Sequence, residues 1–346
     1  MKSLFDTLPS LKPVPTLALM LVVLAAAASA KTIHVCSPGT IQSAVNAASS
    51  GDIIDVCPGF YDENVTVNTY NLTINGPGAW LLAANPSLPG FTLNASKVTI
   101  YGFGCICGST QSSGIAVNPS GGTGSARAEN ETITSNTIYL NGTGIFFNLS
   151  GGNTASYNNI HTSYGDGIFD YGSVGPETIS YNVVYCSGFH GTPCVQGPTS
   201  SPPPSPAQSS GIEIRSPSIS TSVVLQNNSV WYSAADGIYL NNAPYAKVQA
   251  NQLYSNGWDG LELSNFSVNN TISNNSIYQN GNDGIEVQSG STGNTISSNK
   301  IPPSYDASNL QFDAQDESSG GTGPGHVNNS WTNNSCSKAS PAGLCQ

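Results

Sequence analysis

The chain has 346 residues, only 8% of them charged, and 20 Asp and Glu stand against 9 Lys and Arg for a net charge of −11. Nucleic acid and anionic membrane are therefore poor partners, and an anionic polysaccharide is repelled unless a divalent cation such as Ca²⁺ bridges the two. Surface polarity comes instead from Asn, Ser, Thr and Gly, which suit exposed turns and β-surfaces rather than helices.

In chain order, the first segment reads as an export signal. Lys2 and Lys12 precede an apolar run from Leu17 to Ala28, and Ala28-Ser29-Ala30 follows the small-x-small rule for signal peptidase. Residues 1–30 are thus expected to be a signal peptide and the product secreted, at the cell surface or outside the cell, with no membrane anchor retained. A retained anchor is the alternative, against which the run is short for a spanning helix.

Eight cysteines behind an export signal point to disulfides. Cys36 and Cys57 each close a short apolar strand, so neighbouring parallel strands in register bring their sulfurs together. Cys186 with Cys194 would staple a loop, and Cys336 with Cys345 the tail. Cys105 and Cys107, spaced i,i+2 on one side of a strand, are left either to bridge each other or to remain thiols.

Thr40 can cap a short helix whose Ile41, Ala44, Val45 and Ala48 share one face, and which would plug the open N-terminal end of a stack. From there two columns recur. One is Gly followed by an aliphatic residue, as in Gly237-Ile238, Gly260-Leu261 and Gly284-Ile285. The other is Asn-x-aliphatic, as in Asn228-Ser-Val230, Asn251-Gln-Leu253 and Asn275-Ser-Ile277. Most steps in both are 22 to 24 residues. Within one step, short apolar runs alternate in and out between Gly, Asn and Ser turns. One such coil cannot bury its inner face alone, so the coils must stack, ~4.8 Å apart, as a three-sheet parallel solenoid. The predicted fold is all-β, a right-handed parallel β-helix over residues 31–301 with a short N-terminal capping helix. An insertion at about 186–210 interrupts it, and a loop-rich cap over 302–346 ends it. The Asn column reads as structural, its amides hydrogen-bonding along the stack.

The run Thr40-Ile-Gln-Ser-Ala-Val-Asn-Ala-Ala, then Gly51-Asp-Ile-Ile-Asp-Val and Pro58-Gly-Phe-Tyr-Asp-Glu-Asn-Val, resembles the opening of pectin-lyase-fold proteins with parallel β-helix repeats. The resemblance spans most of residues 32–301. It implies a superfamily containing polysaccharide lyases, hydrolases, epimerases and non-enzymatic surface proteins, among which fold alone does not choose. The Gly-His-Gly, paired-Arg and Asp-His motifs of polygalacturonases and pectate lyases are absent, so the residues of neither are carried over.

Chemistry is sought on the coils themselves. With Ile285 and Val287 inward, Glu286 points outward, and the same alternation places Glu262, Tyr239 and Glu213 on one external stripe. One position before each Gly stand Asp166, Asp236, Asp259 and Asp283. Paired carboxyls at such spacing suit glycoside hydrolysis, or bind Ca²⁺ through oxygen ligands. The catalytic candidates are Asp259, Asp283, Glu262 and Glu286. Candidates for substrate contact are Glu213, Arg215, Asp236, Tyr239, Trp258 and His190, and for a metal Asp259 and Asp283. Equally, Asp before Gly is an ordinary turn residue and an exposed Glu ordinary solvation. Two functions stay open: a β-helix that binds, and in one version cleaves, an extracellular polysaccharide or cell-surface glycan through this acidic and aromatic ridge, or a non-catalytic structural or adhesin-like surface protein. Whether it is an enzyme is undecided by sequence; if it is, hydrolysis suits the charges better than uronate elimination or epimerisation.

Twelve Asn-x-Ser/Thr triplets (Asn64, Asn71, Asn94, Asn130, Asn141, Asn148, Asn227, Asn265, Asn269, Asn274, Asn328, Asn333) are candidate glycan acceptors. An Asn- and Ser-rich repeat also generates them by chance.

Overall fold

The computed structural model describes residues 29–118, 127–189, 209–216, 222–302, 309, 311–318 and 328–345. Strands of two to six residues assemble into three parallel sheets, here called A, B and C, of twelve, nine and eleven strands. Each complete coil contributes one strand to each sheet, the coils at the two ends fewer, and about eleven turns stack end to end.

Alternation of side chains decides which residue enters the core. Sheet A stacks Ile54, Ile74, Ile100 and Ile133 in register, continuing through Ile179, Leu225, Val248, Ile272 and Ile296. All of these are fully buried. Sheet C carries two inward columns, one running from Phe91 to Ile285 and a second through Leu93, Val117, Phe147, Ile214, Leu240 and Leu263. Each such side chain contributes about 1.5–3 kcal/mol by burial, and no single coil holds enough of them to fold alone. The first turn is closed by a helix at Ile41–Ala47, whose N-cap Thr40 accepts the Ser43 N–H and whose Ile41, Ala44 and Val45 are buried.

The corners explain the sequence columns. Just before the sheet B strands of the middle coils, the chain turns through a left-handed residue, φ 55–57°, at Tyr157, Tyr181, Asn227, Ala250 and Asn274. The next residue is the column Asn. Its Oδ1 accepts the N–H of the Asn one coil earlier, at 2.9–3.0 Å from Asn136 through Asn299 to Asn334. Its amide donates to a carbonyl of the earlier coil, as Asn228 Nδ2 does to Ile179 at 2.9 Å. The glycine column has a different cause: a Cβ at Gly237 would lie 2.6 Å from the Gly260 carbonyl oxygen, so only hydrogen fits between successive coils.

The segment from 302, read in sequence as a loop-rich cap, adds strands Ala314–Asp316, Ser330–Thr332 and Ala339–Ser340 to sheets C and A. Disulfides join Cys36–Cys57, Cys105–Cys107 and Cys336–Cys345. Cys186 is also disulfide-bonded, while its expected partner Cys194, most of the 186–210 insertion with His190, and the expected signal segment up to residue 28 lie outside the described residues.

Candidate functional site

Where sheet B turns into sheet C, the residue before each column glycine falls in line with its counterparts. Asp236, Asp259 and Asp283 stand on three successive coils, and Asp166 two coils earlier, with Ser210 between. Two residues after each glycine an outward residue of sheet C follows: Phe146, Phe169, Glu213, Tyr239, Glu262 and Glu286 are in register, and Gln315, two residues after Asp313, continues the column.

Each aspartate does two things at once. Its Oδ1 accepts the backbone N–H of the next coil: Asp236 from Asp259 at 3.0 Å, Asp259 from Asp283 at 2.7 Å, Asp283 from Phe312 at 2.7 Å, and Asp166 from Ser210 at 2.8 Å. Asn282 Nδ2 adds a second donor to Asp259 Oδ1, at 2.9 Å. The other oxygens of Asp259 and Asp283 are buried with no hydrogen-bond partner. They face carboxyls of the outward stripe. Asp236, Asp259 and Glu262 bring ligand oxygens within 4.8 Å of one another, and Asp259, Asp283 and Glu286 do the same, sharing Asp259.

Burial sets the electrostatics. Asp236, Asp259 and Asp283 are 3%, 0% and 0% exposed and Glu262 only 6%, while Glu286 is partly buried. Desolvation, reinforced by the neighbouring carboxyls, pushes Asp236 and Asp283 up to about 7 and Glu262 up to about 10; Asp259 and Glu286 are raised for the same reasons. Such a group is stable with shared protons or with a hard cation among its oxygens, and the all-oxygen set with two unpartnered atoms fits Ca²⁺.

The remaining predicted residues flank this cluster. Tyr239 lies between Glu213 and Glu262 in the stripe, its hydroxyl accepting from Ser264 Oγ at 2.8 Å and raised to about 12, chiefly by burial. Arg215 pairs with Glu213 at 2.6 Å, and its guanidinium lies 5.4 Å from the Phe169 ring centre. Burial holds Glu213 above its ordinary range although Arg215 pulls it down. Trp258 is half-buried in the turn before Asp259.

Sequence reading missed an aromatic column on sheet B. Tyr139, His161, Tyr185, Trp231, Tyr254 and Tyr278 stack ring on ring, with centres 4.8–5.4 Å apart. The signal was present three residues after each column Asn, as in Asn228-Ser-Val-Trp231 and Asn251-Gln-Leu-Tyr254. In this column each inner ring has both faces covered by its neighbours, so it stiffens the sheet and offers only ring edges to solvent.

Residues 199–312 match the family model described as right handed beta helix region. No curated protein matches the chain. Among solved structures, the alginate lyase from Paenibacillus sp. str. FPU-7 superposes with a TM-score of 0.60 at 16% identity, covering 81% of this chain and 97% of that one. The DFA-IIIase from Arthrobacter chlorophenolicus A6 superposes with a TM-score of 0.53 at 14% identity, covering 75% and 80%. Among the described residues no helix is long and apolar enough to cross a membrane. With its three parallel sheets and these matches, the chain is a right-handed parallel β-helix of the pectate lyase-like fold.

Proposed function

We propose that the chain is secreted and binds an extracellular polysaccharide along the outward stripe of sheet C, from Glu213 to Glu286. The observation that carries this reading is the carboxyl cluster on successive coils, whose Asp259 and Asp283 each keep one buried oxygen without a partner. The expected signal segment and the disulfides support export, and the two superposable proteins are, by their names, a lyase of alginate and a DFA-IIIase.

Asp236, Asp259, Glu262, Asp283 and Glu286 would hold Ca²⁺, which would supply the positive charge an anionic glycan needs to approach this acidic surface. Glu213 and Tyr239 line the track beside them, and Trp258 flanks it. If a glycosidic bond is cleaved, hydrolysis fits better than elimination. Arg215 is already ion-paired to Glu213, which leaves it poorly placed to neutralise a uronate. Burial of the three aspartates also favours a second reading, a β-helix that binds without catalysis, because a nucleophile must reach the sugar.

A glycan array with a reducing-sugar screen, run with Ca²⁺ and with chelator while recording absorbance of unsaturated uronates, tests these readings. Reducing ends without that absorbance mean a hydrolase, and with it a lyase. Calcium-dependent binding alone means a binding module, and silence on every glycan refutes the proposal.

A further inference from the structure

The acidic stripe is half of a longer feature. Its two register columns continue toward the N-terminus with different chemistry. In the column of Asp236, Asp259 and Asp283, the earlier coils place Pro89, Ser113 and Thr143. In the column of Glu262 and Glu286, they place Ala116, Phe146 and Phe169. These residues, with Gln111 and Ser112 from the preceding turn, line a cleft of about 350 Å³ whose lining, among the described residues, has no charged side chain.

The register explains why a cleft forms there. Phe146 and Phe169 stack, with centres 5.3 Å apart and planes 16° apart, so each covers one face of the other. On the next coil toward the N-terminus the stripe residue is Ala116, too small to cover the second face of Phe146. That aromatic face is therefore open, with Pro89 and Gln111 beyond it. At the other end Arg215 lies over Phe169 and is held by Glu213, which marks the boundary with the acidic half.

We infer that this cleft is a sugar subsite of the same track, taking one uncharged pyranose or furanose ring of the bound polysaccharide. The inference rests on the polysaccharide-binding reading above and adds where a ring sits and of what class. An open aromatic face packs against the C–H face of a sugar ring, and Gln111, Ser112 and Thr143 supply donors and acceptors for its hydroxyls. A uronate would bring an unpaired carboxylate to a lining without a cation, at a desolvation cost that a neutral ring avoids. From Phe146 to Glu286 the stripe crosses five coil steps, roughly 24 Å, so one chain of several sugars can lie on both halves.

The test uses the full protein and neutral gluco- and fructo-oligosaccharides long enough to span the stripe, titrated by calorimetry. Phe146→Ala removes the open face and Ala116→Leu fills the space in front of it; the second variant keeps the aromatic stack, so a folding defect in the first does not decide the result. Both are expected to weaken binding about tenfold without changing its dependence on Ca²⁺. If wild type binds and both variants bind equally well, the subsite is wrong while the acidic track stands. If wild type binds none of these neutral sugars but binds oligouronates with Ca²⁺, the neutral-ring assignment fails alone. Binding of neither class overturns both readings.

Discussion

Two columns of this solenoid perform the same mechanical task with different chemistry. At the corner before sheet B, a buried Asn on each coil accepts a backbone N–H from the neighbouring coil and uses its amide to donate to a carbonyl. Its hydrogen-bonding capacity is spent within the stack. At the corner before sheet C, Asp236, Asp259 and Asp283 also accept a backbone N–H from a neighbouring coil, but a carboxylate has no donor. On Asp259 and Asp283 one buried oxygen is left without a hydrogen-bond partner, beside further carboxyls. In the function proposed above, the difference separates a column that only holds coils together from one that also takes a ligand.

The largest effect that would sharpen this contrast is on pH. Glu131 and Asp170 lie away from the stripe and are 0% and 1% exposed, and burial raises them to about 9 and about 7. The folded state therefore holds protons that the unfolded chain releases near pH 4. Stability contributed by these groups is complete below that point and declines as pH rises through 7 and then 9. An unfolding free energy from urea denaturation several kcal/mol lower at pH 8 than at pH 5 is expected, with Asp170→Asn flattening the curve; an unfolding free energy that rises with pH contradicts it.

Next in size, Asn228→Leu strands the Asn182 N–H and the Ile179 carbonyl and should cost about 2–5 kcal/mol in chemical denaturation. The matching change in the other column, Asp259→Asn, should act in the opposite direction. It keeps the Oδ1 that accepts from Asp283 and gives the free position a donor toward Glu286, so we expect a gain of about 1 kcal/mol. The same variant should abolish any rise in melting temperature on adding Ca²⁺. Loss of stability in this variant would mean the aspartate is a structural residue like the Asn. Smallest of all, Asn274→Gln at an exposed left-handed corner should cost about 1 kcal/mol or less by the same assay.

The periodic part of the molecule was readable because each coil repeats one local grammar. Gly marks a close approach of coils, Asn the amide column, and the alternating aliphatics the core. The same grammar generates many of the glycosylation triplets: Asn227-Asn-Ser, Asn274-Asn-Ser and Asn333-Asn-Ser are a left-handed corner, a column Asn and an outward residue at the sheet B position, Ser335 there making only a single bridge. Past Ile301 the step lengthens to 35 residues between Asn299 and Asn334, which hides the continuing stack from a search for a fixed period. The acidic residues were visible as a stripe. Sequence did not reveal that Glu213 and Glu262 are buried along with Asp236, Asp259 and Asp283, because burial at a corner depends on how far each turn folds over its neighbour. The cleft at Phe146 was equally hidden, since it exists only because Ala116, a residue with no signal of its own, falls in register with a phenylalanine.

The most direct test of a ligand-binding carboxyl column is a glycan titration, with and without Ca²⁺, of wild type against Glu262→Gln combined with Asp283→Asn, with melting temperature measured on both. We predict that the double variant melts no lower than wild type and loses polysaccharide and Ca²⁺ binding. A double variant that stays folded and binds as wild type does would show that the carboxyl column, like the Asn column, serves only the fold.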